Sequence, residues 1–336
     1  MAVTLTQASY LESDVLKKGI IDTIIYESPF IARLPFIEIN GNAYAYNLET
    51  TAGGANWYDV GDTITEKTPV WAKRTVDLSE LINDADVDSF IQQTRTNEQD
   101  VKVAVIEKAS KAIANEFEKQ AIWGQQSDEY STKQMKGLIH LICEVESATQ
   151  TAWDTSENTQ ICYPATAAAL ALVDLDELID LIKPGKPDAL IMNRRLRRKL
   201  KSLMMASGST LRVAQDQFGK QISYYDQIPI LICDWITDNI DDSETTAGVT
   251  RGDQVTRSID YDATRTTALD SSLIFAVKFG EDGLCGIQNK GIQVEDLGTL
   301  ETKDATRTRI KWYCGMANFS KYSIAVLEDV THTAAG

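Results

Sequence analysis

Residues 97–123 form a run without proline or glycine that stops at Gly124. Within it Ile106, Ala109, Ile113, Phe117 and Ala121 recur at spacings of three and four, the period of a single helical face. Lys102, Lys108, Lys111, Glu116 and Glu118 largely occupy the other faces. Asn97 supplies a cap, and Asp100 sits near the positive end of the helix dipole. About 27 residues at 1.5 Å each make a rod of about 40 Å, long beside the usual three or four turns. A rod with one apolar stripe predicts a beam lying across a sheet.

The segment before the rod is harder to bury. Tyr44, Tyr46 and Leu48 alternate with Ala45 and Asn47, and Val70, Ala72, Arg74 and Val76 alternate on the way back, both with strand periodicity. Between them lie Gly53, Gly54, Gly61 and Asp62, interleaved with Trp57, Tyr58 and Val60. The spacing predicts one long hairpin over 42–76 with a sticky tip. A two-stranded ribbon is marginal in water unless something covers it, so this tongue suits a subunit that clasps a neighbour. Its aromatics Trp57, Tyr58 and Trp71 read as interface anchors; a small-ligand platform is the alternative.

Upstream, Leu11, Val15, Leu16, Ile20, Ile21, Ile24 and Ile25 predict a helix over 11–26, ended by Ser28-Pro29. Residues 30–36 run extended, and Pro35 keeps them out of a central strand. From Ala165 the texture changes. Leu175, Leu178, Ile179 and Ile182 predict a helix ended by Lys183-Pro184-Gly185. Residues 189–192, 228–232 and 273–277 read as buried strands, and 194–205 as a second helix striped by Leu196, Leu200 and Leu203. Residues 237–272 read as a long acidic surface loop and 280–291 as turn-rich. Alternating strands and helices imply a compact α/β unit. Near the end Thr306, Thr308, Ile310 and Trp312 oppose Arg307, Arg309, Lys311 and Tyr313, and 323–327 is a final apolar strand.

At 336 residues, 43% hydrophobic and 24% charged, the chain can build a sizeable core. Its net charge of -16 argues against a nucleic-acid reader but suits a wall that encloses nucleic acid without sticking to it. Five scattered cysteines without a C-x-x-C pair read as reduced thiols. The N-terminus lacks a signal-peptide pattern, and no apolar run is long enough to span a membrane.

No catalytic constellation emerges. The glycines at 53–54 and 280–286 have the wrong spacing for a phosphate loop, and Ser207-Gly208-Ser209 is a turn signal. His140 and His332 are the only histidines and match no zinc spacing with these cysteines; His140 reads as structural. Two charged features have open readings. Arg194, Arg195, Arg197, Arg198, Lys199 and Lys201 make a basic helix face that is solvated, meets an acidic neighbour, or meets nucleic acid. Asp238, Asp241, Asp242, Glu244 and Asp253 make an acidic loop that is solvated, pairs between subunits, or binds a cation. The expectation is a structural protein, no enzyme, with no cofactor and no metal.

The order of these parts resembles the major capsid proteins of tailed bacteriophages, the HK97-like shell fold. Ala114-Asn115-Glu116-Phe117-Glu118-Lys119-Gln120-Ala121-Ile122-Trp123-Gly124 is similar to the end of that family's spine helix. Residues 187–194 resemble its strand entering a helix, and Gln227-Ile228-Pro229-Ile230 its G-x-P strand entry with Gln for Gly. Residues 275–280 followed by Ile287 resemble a further strand and turn, and 308–313 with 323–327 the closing strands.

The resemblance implies an α+β fold divided as follows: an N-terminal arm (1–41), an extended hairpin or E-loop (42–77), a peripheral domain with its spine helix (78–164, helix 97–123), an axial α/β domain (165–301), a peripheral return strand (302–319), and an axial closing strand and tail (320–336). It implies a shell of hexamers and pentamers enclosing double-stranded DNA without sequence-specific binding, assembled in the host cytoplasm and ending in the virion. A portal protein is implied, and so is a separate scaffolding protein, because the arm begins almost at Met1. No membrane is involved. Inter-subunit contacts are expected at Trp57, Tyr58, Lys67, Trp71, Arg194, Arg197, Arg198, Asp241 and Asp242. Some family members weld subunits through a tongue Lys and a peripheral Asn helped by a Glu. Lys67 and Lys73 are available here, but Asp304 and Lys311-Trp312 stand where the partners would lie, so no weld is expected. The alternative within the fold is an encapsulin-like compartment holding a cargo enzyme.

Overall fold

The computed structural model describes residues 30–31, 33–51, 53–94, 101–124, 133–146, 159–162, 168–215, 221–236 and 272–331. In chain order the elements are β1 (Phe36–Glu38), β2 (Ala43–Thr51), β3 (Val70–Asp77), β4 (Ser79–Asp88), α1 (Ser89–Thr94), α2 (Val101–Trp123), α3 (Leu138–Glu146), β5 (Ile161–Cys162), β6 (Ala168–Ala169), α4 (Leu172–Asp180), β7 (Ala189–Met192), α5 (Arg194–Ala206), β8 (Arg212–Gln215), β9 (Gln221–Tyr225), β10 (Ile228–Ile232), β11 (Ser272–Val277), β12 (Leu284–Thr299), β13 (Ala305–Asn318) and β14 (Ile324–Thr331). The helix expected over 11–26, the cap at Asn97 and the acidic loop at 237–271 lie outside the described residues.

Two sheets carry the structure. The first has four strands in the order β1-β12-β13-β4. β12, β13 and β4 are antiparallel, and β1 adds parallel at the edge through Phe36↔Gly286. That edge placement is where a segment following Pro35 belongs, since proline cannot donate to a central ladder. Along β13, Thr308, Ile310 and Trp312 are buried while Arg307, Arg309, Lys311 and Tyr313 are only half-buried, as the alternation predicts; Thr306, expected on the inner face, is half-buried too. The spine helix α2 lies against this sheet. Its 23 residues span about 34 Å, and Ala109, Ile113, Phe117 and Ala121 are buried. Glu118 departs from its expected polar face: it is buried beside Cys233, whose thiol is pushed up by burial first and then by the Glu118 charge.

The helix stops where the sequence places its glycine. The Gly124 amide donates to the Gln120 carbonyl (2.7 Å), and the Gly137 amide donates to the Gly124 carbonyl (2.9 Å). A Cβ on Gly124 would stand 2.3 Å from the Met135 carbonyl oxygen, so only glycine lets the returning segment close on the helix end. That return launches α3, whose Leu138, Ile139, Leu141 and Ile142 are fully buried.

The second sheet has eight strands, ordered β5-β14-β11-β7-β10-β9-β8, with β6 pairing β14. β7 and β10 are parallel and are joined through α5 and the β8–β9 hairpin. β7 and β11 are buried throughout, as expected of strands covered on both faces. Leu190, Met192, Ile274 and Ala276 pack with Leu175, Leu178, Leu196 and Leu200 of α4 and α5. Ile191, Phe275 and Val277 join the core that also holds α2, α3 and the first sheet. Asn193 caps α5: its Oδ1 accepts from the Leu196 amide (2.7 Å) and its Nδ2 donates to Ser272 Oγ (2.9 Å).

Other expectations need correction. The Arg33 and Leu34 amides both donate to the Phe30 carbonyl (3.1 and 3.0 Å), a turn where the sequence predicts an extended run. Residues 280–291 are not all turn. The turn is confined to 280–283, and β12 then runs 16 residues. Gly286 pairs on both sides as strand, and the Phe36 ring lies where its Cβ would be, at 2.4 Å; Lys290 and Gly291, both with positive φ, form a bulge where the register shifts. Consequently 284–299 pairs into the first sheet rather than continuing the α/β unit to 301. β4 and the β8–β9 hairpin carry no expectation from the sequence reading.

Candidate assembly surfaces

The tongue is β2 and β3 plus the tip between them. The strands pair from Ala43↔Asp77 to Thr51↔Val70. Its root is tied to the body: Val76 is buried with Ile287 and Ala317, and Tyr44, Tyr46 and Phe319 pack around them. The Tyr46 hydroxyl donates to the Asn318 carbonyl (2.9 Å), and its ring meets Phe319 edge-on at 4.8 Å. Burial, with the Glu144 charge second, pushes the Tyr46 phenol up to about 12.

The tip is built differently. Trp57 and Val60 are fully exposed, and Tyr58, Ile64, Val70 and Trp71 are exposed too. Local bonds hold its shape. The Tyr58 hydroxyl donates to the Thr65 carbonyl (3.1 Å), the Asp59 amide donates to Asp62 Oδ2 (2.8 Å), and Lys67 Nζ donates to Asn56 Oδ1 (3.0 Å). Gly61 takes φ +98° at the turn. The expected contact residues Trp57, Tyr58, Lys67 and Trp71 therefore share one solvent-facing projection rich in exposed apolar side chains.

The basic helix face lies elsewhere, on α5. Leu196 and Leu200 face the core, Arg194, Arg195, Arg198 and Lys201 are exposed, and Arg197 is half-buried. Arg194 makes a two-bond pair with Asp234 of the same chain, at 2.7 and 2.9 Å. The buried Arg197 Nε has no hydrogen-bond partner among the described residues. Asp241 and Asp242 lie outside the described residues.

Sequence reasoning missed a charge ladder on the first sheet. Arg307 pairs with Asp86 through two bonds (2.6 and 2.7 Å), and Arg309 with Asp84 (2.7 and 2.9 Å). Lys311 pairs with Glu295. Arg307 stands directly across from Asp86 and Arg309 from Asp84. Hydrogen bonds from Arg309 and Arg307 hold the Asp84 and Asp86 carboxyls below the usual carboxylate range. The alternation of acids in 84–88 was a signal, but it does not name its partner strand.

His140 is buried in α3. Cys162, Cys233, Cys285 and Cys314 are buried free thiols; desolvation pushes Cys314 up to about 12, far from a nucleophile's range. Among the described residues no group of three His, Cys, Asp or Glu is placed to hold a metal, and no helix is long and apolar enough to cross a membrane.

The family model described as SU10 major capsid protein matches residues 84–231. No curated protein matches the chain by sequence. Solved structures match over nearly the whole length. The holo-SrpI encapsulin complex from Synechococcus elongatus PCC 7942 aligns at 15% identity and TM-score 0.65, covering 94% of this chain and 91% of that one. The capsid of a native GTA particle aligns at 13% and 0.59, covering 90% and 89%. A structure from Mycobacterium phage Adephagia aligns at 12% and 0.58, covering all of both chains. At such identities these likenesses show the fold, which is the HK97-like shell fold.

Proposed function

We propose that this chain, which has the HK97-like shell fold, is a major capsid protein that builds a closed icosahedral shell of hexamers and pentamers around double-stranded DNA. The observation that carries the reading is the tongue. Its root is packed and hydrogen-bonded to the body, while its tip holds Trp57, Val60 and Trp71 in solvent. An exposed apolar projection of that kind gains stability only when another surface covers it. Repeated once per subunit under rotational symmetry, such a contact closes a shell. The α/β units, with the basic α5 face, would ring the symmetry axes. A net charge of -16 per chain keeps the wall from binding its DNA tightly.

In the same reading the shell forms in the host cytoplasm, on a separate scaffolding protein and with a portal protein at one vertex. The tailed-phage order of parts supports both partners. An encapsulin-like compartment shares the fold, and the major-capsid family match over 84–231 favours the phage shell. The discriminating experiment is negative-stain microscopy of the expressed chain, alone and with candidate scaffold, followed by analysis of particle contents. Closed particles that protect DNA from nuclease in infected cells support the proposal. A monomer in both conditions, or particles filled with a host enzyme, overturns it.

A further inference from the structure

Glu144, on the last turn of α3, collects three basic side chains. Lys136 Nζ lies 2.8 Å from one carboxylate oxygen and 3.0 Å from the other. Arg74 Nη1, from strand β3 of the tongue, lies 3.6 Å away. His140 Nε2, one turn earlier on α3, lies 3.9 Å away. Lys136 also reaches the Thr75 carbonyl on the tongue, at 3.5 Å. Arg74 and Thr75 belong to the tongue; Lys136, His140 and Glu144 belong to the body.

The position of this tie on the ribbon matters. Arg74 is directly opposite Tyr46 in the hairpin, so the two side chains stand on one face. Tyr46 is the residue held by Asn318 and Phe319. One rung of the ribbon is therefore gripped twice, once by an aromatic contact and once by Glu144. Toward the tip, Trp71 and Val70 are already exposed. Any tilt at the gripped rung is multiplied along the ribbon before it reaches Trp57.

The electrostatics make Glu144 the decisive member. The Arg74 and Glu144 side chains are 20% exposed and that of Lys136 is 12% exposed, so solvent screens them only in part. Without the carboxylate, Arg74 and Lys136 are two like charges sharing one half-buried space, and attraction becomes repulsion.

We infer that Glu144 is a positioning residue for assembly: through Arg74 and Lys136 it fixes the direction in which the tongue leaves the body, and so where Trp57 and Trp71 meet a second copy of this chain. The inference rests on the capsid reading, because the direction matters only to a subunit that clasps another.

The test uses the full chain with Glu144→Gln, Arg74→Gln and the double variant. Hydrogen exchange is followed in residues 43–51 and 70–77 of unassembled subunits, with 272–277 as the internal reference, and particles are scored by microscopy. Each single variant is expected to speed hairpin exchange about fivefold or more while leaving the reference strand unchanged. Each should also lower the yield of closed particles, and the double should be no worse than either single, since both remove one tie. Arg74→Lys, which keeps the charge, should restore part of the yield. Wild-type exchange in the Glu144→Gln hairpin, additive effects in the double, or normal particles despite fast exchange would each overturn the inference. If Glu144→Gln loosens the reference strand as well, Arg74→Gln decides alone. A wild-type chain that forms no particles counts against the capsid reading, and the exchange arm still judges the tie.

Discussion

The rings of Phe117 on α2 and Trp312 on β13 have their centroids 4.6 Å apart, tilted by 33°. Phe36 of the edge strand completes the group, 6.0 Å from Phe117 and 5.5 Å from Trp312. Three distant parts of the chain thus meet in one aromatic cluster that seats the spine helix on its sheet. Phe117 is 1% exposed. Phe117→Ala removes a buried ring and leaves a cavity, which should cost about 3–5 kcal/mol. Urea unfolding of the unassembled subunit measures it; a loss under about 1 kcal/mol would contradict the packing.

Gly286 is the floor beneath the Phe36 ring. A methyl there would sit 2.4 Å from two ring atoms, so Phe36 must swing or β1 must lift off β12. Gly286→Ala should destabilise by about 1–3 kcal/mol, the usual cost of overpacking. Thermal unfolding of the single variant checks this, and Phe36→Leu in the same chain should recover part of the loss.

The charge ladder gives stability a pH dependence. Asp84 and Asp86 have folded-state pKa values below their unfolded ones because Arg309 and Arg307 hydrogen-bond their charged forms. Their contribution is therefore complete above the unfolded carboxylate value, about 3.9, and is lost as pH falls through the lower folded values. Urea midpoints should hold from pH 7 to about pH 5 as far as this pair is concerned. Below that range the wild type should lose more than the Asp84→Asn, Asp86→Asn variant. Parallel curves for the two proteins would show that the ladder contributes nothing.

Trp57 and Trp71 contact solvent in the isolated subunit. Replacing either with Ala should leave subunit stability within about 0.5 kcal/mol, as for ordinary surface changes. Particle yield should fall, because truncating an aromatic anchor at an interface commonly costs about 2 kcal/mol or more per contact. Equal yields of closed particles from wild type and the double Ala variant would sink the tongue as the clasp.

The basic face of α5 offers a charge swap. Arg197→Glu with Arg198→Glu should impair capsomer formation with the subunit still folded. Adding Asp241→Lys and Asp242→Lys should restore it if these acids are the partners. Each exposed pair is worth only about 0–1 kcal/mol, but a ring repeats it at every subunit. Undiminished assembly of the Arg double variant would leave the helix a solvated face.

Gln227 shows how a local departure was readable before its reason was. It stands where the resemblance has Gly, and the structure gives it φ +68° after Asp226 at φ +45°, the two central residues of the hairpin turn from β9 to β10. The substitution was legible; the left-handed backbone it must adopt was not, because β9 itself carried no clear strand pattern.

The sequence alone determined whatever depends on neighbours along the chain. The apolar stripe from Ala109 to Ala121, the stop at Gly124, the alternation of β2, β3 and β13, and the buried runs of β7, β10 and β11 all follow from periods of 3.6 and 2. So does the exposure of Trp57, since a Gly-rich hairpin tip has no local surface to cover it. Tertiary structure decided what depends on partners far away in sequence. It placed Phe36 over Gly286, and it paired a glycine-rich stretch along β13 as a 16-residue strand. It set Asp84 and Asp86 across from Arg309 and Arg307 more than 200 residues later. It brought Arg74 of the tongue to Glu144 of α3. Periodicity says which face a side chain takes but not which strand or helix will lie against that face; that is chosen by how all the faces pack together.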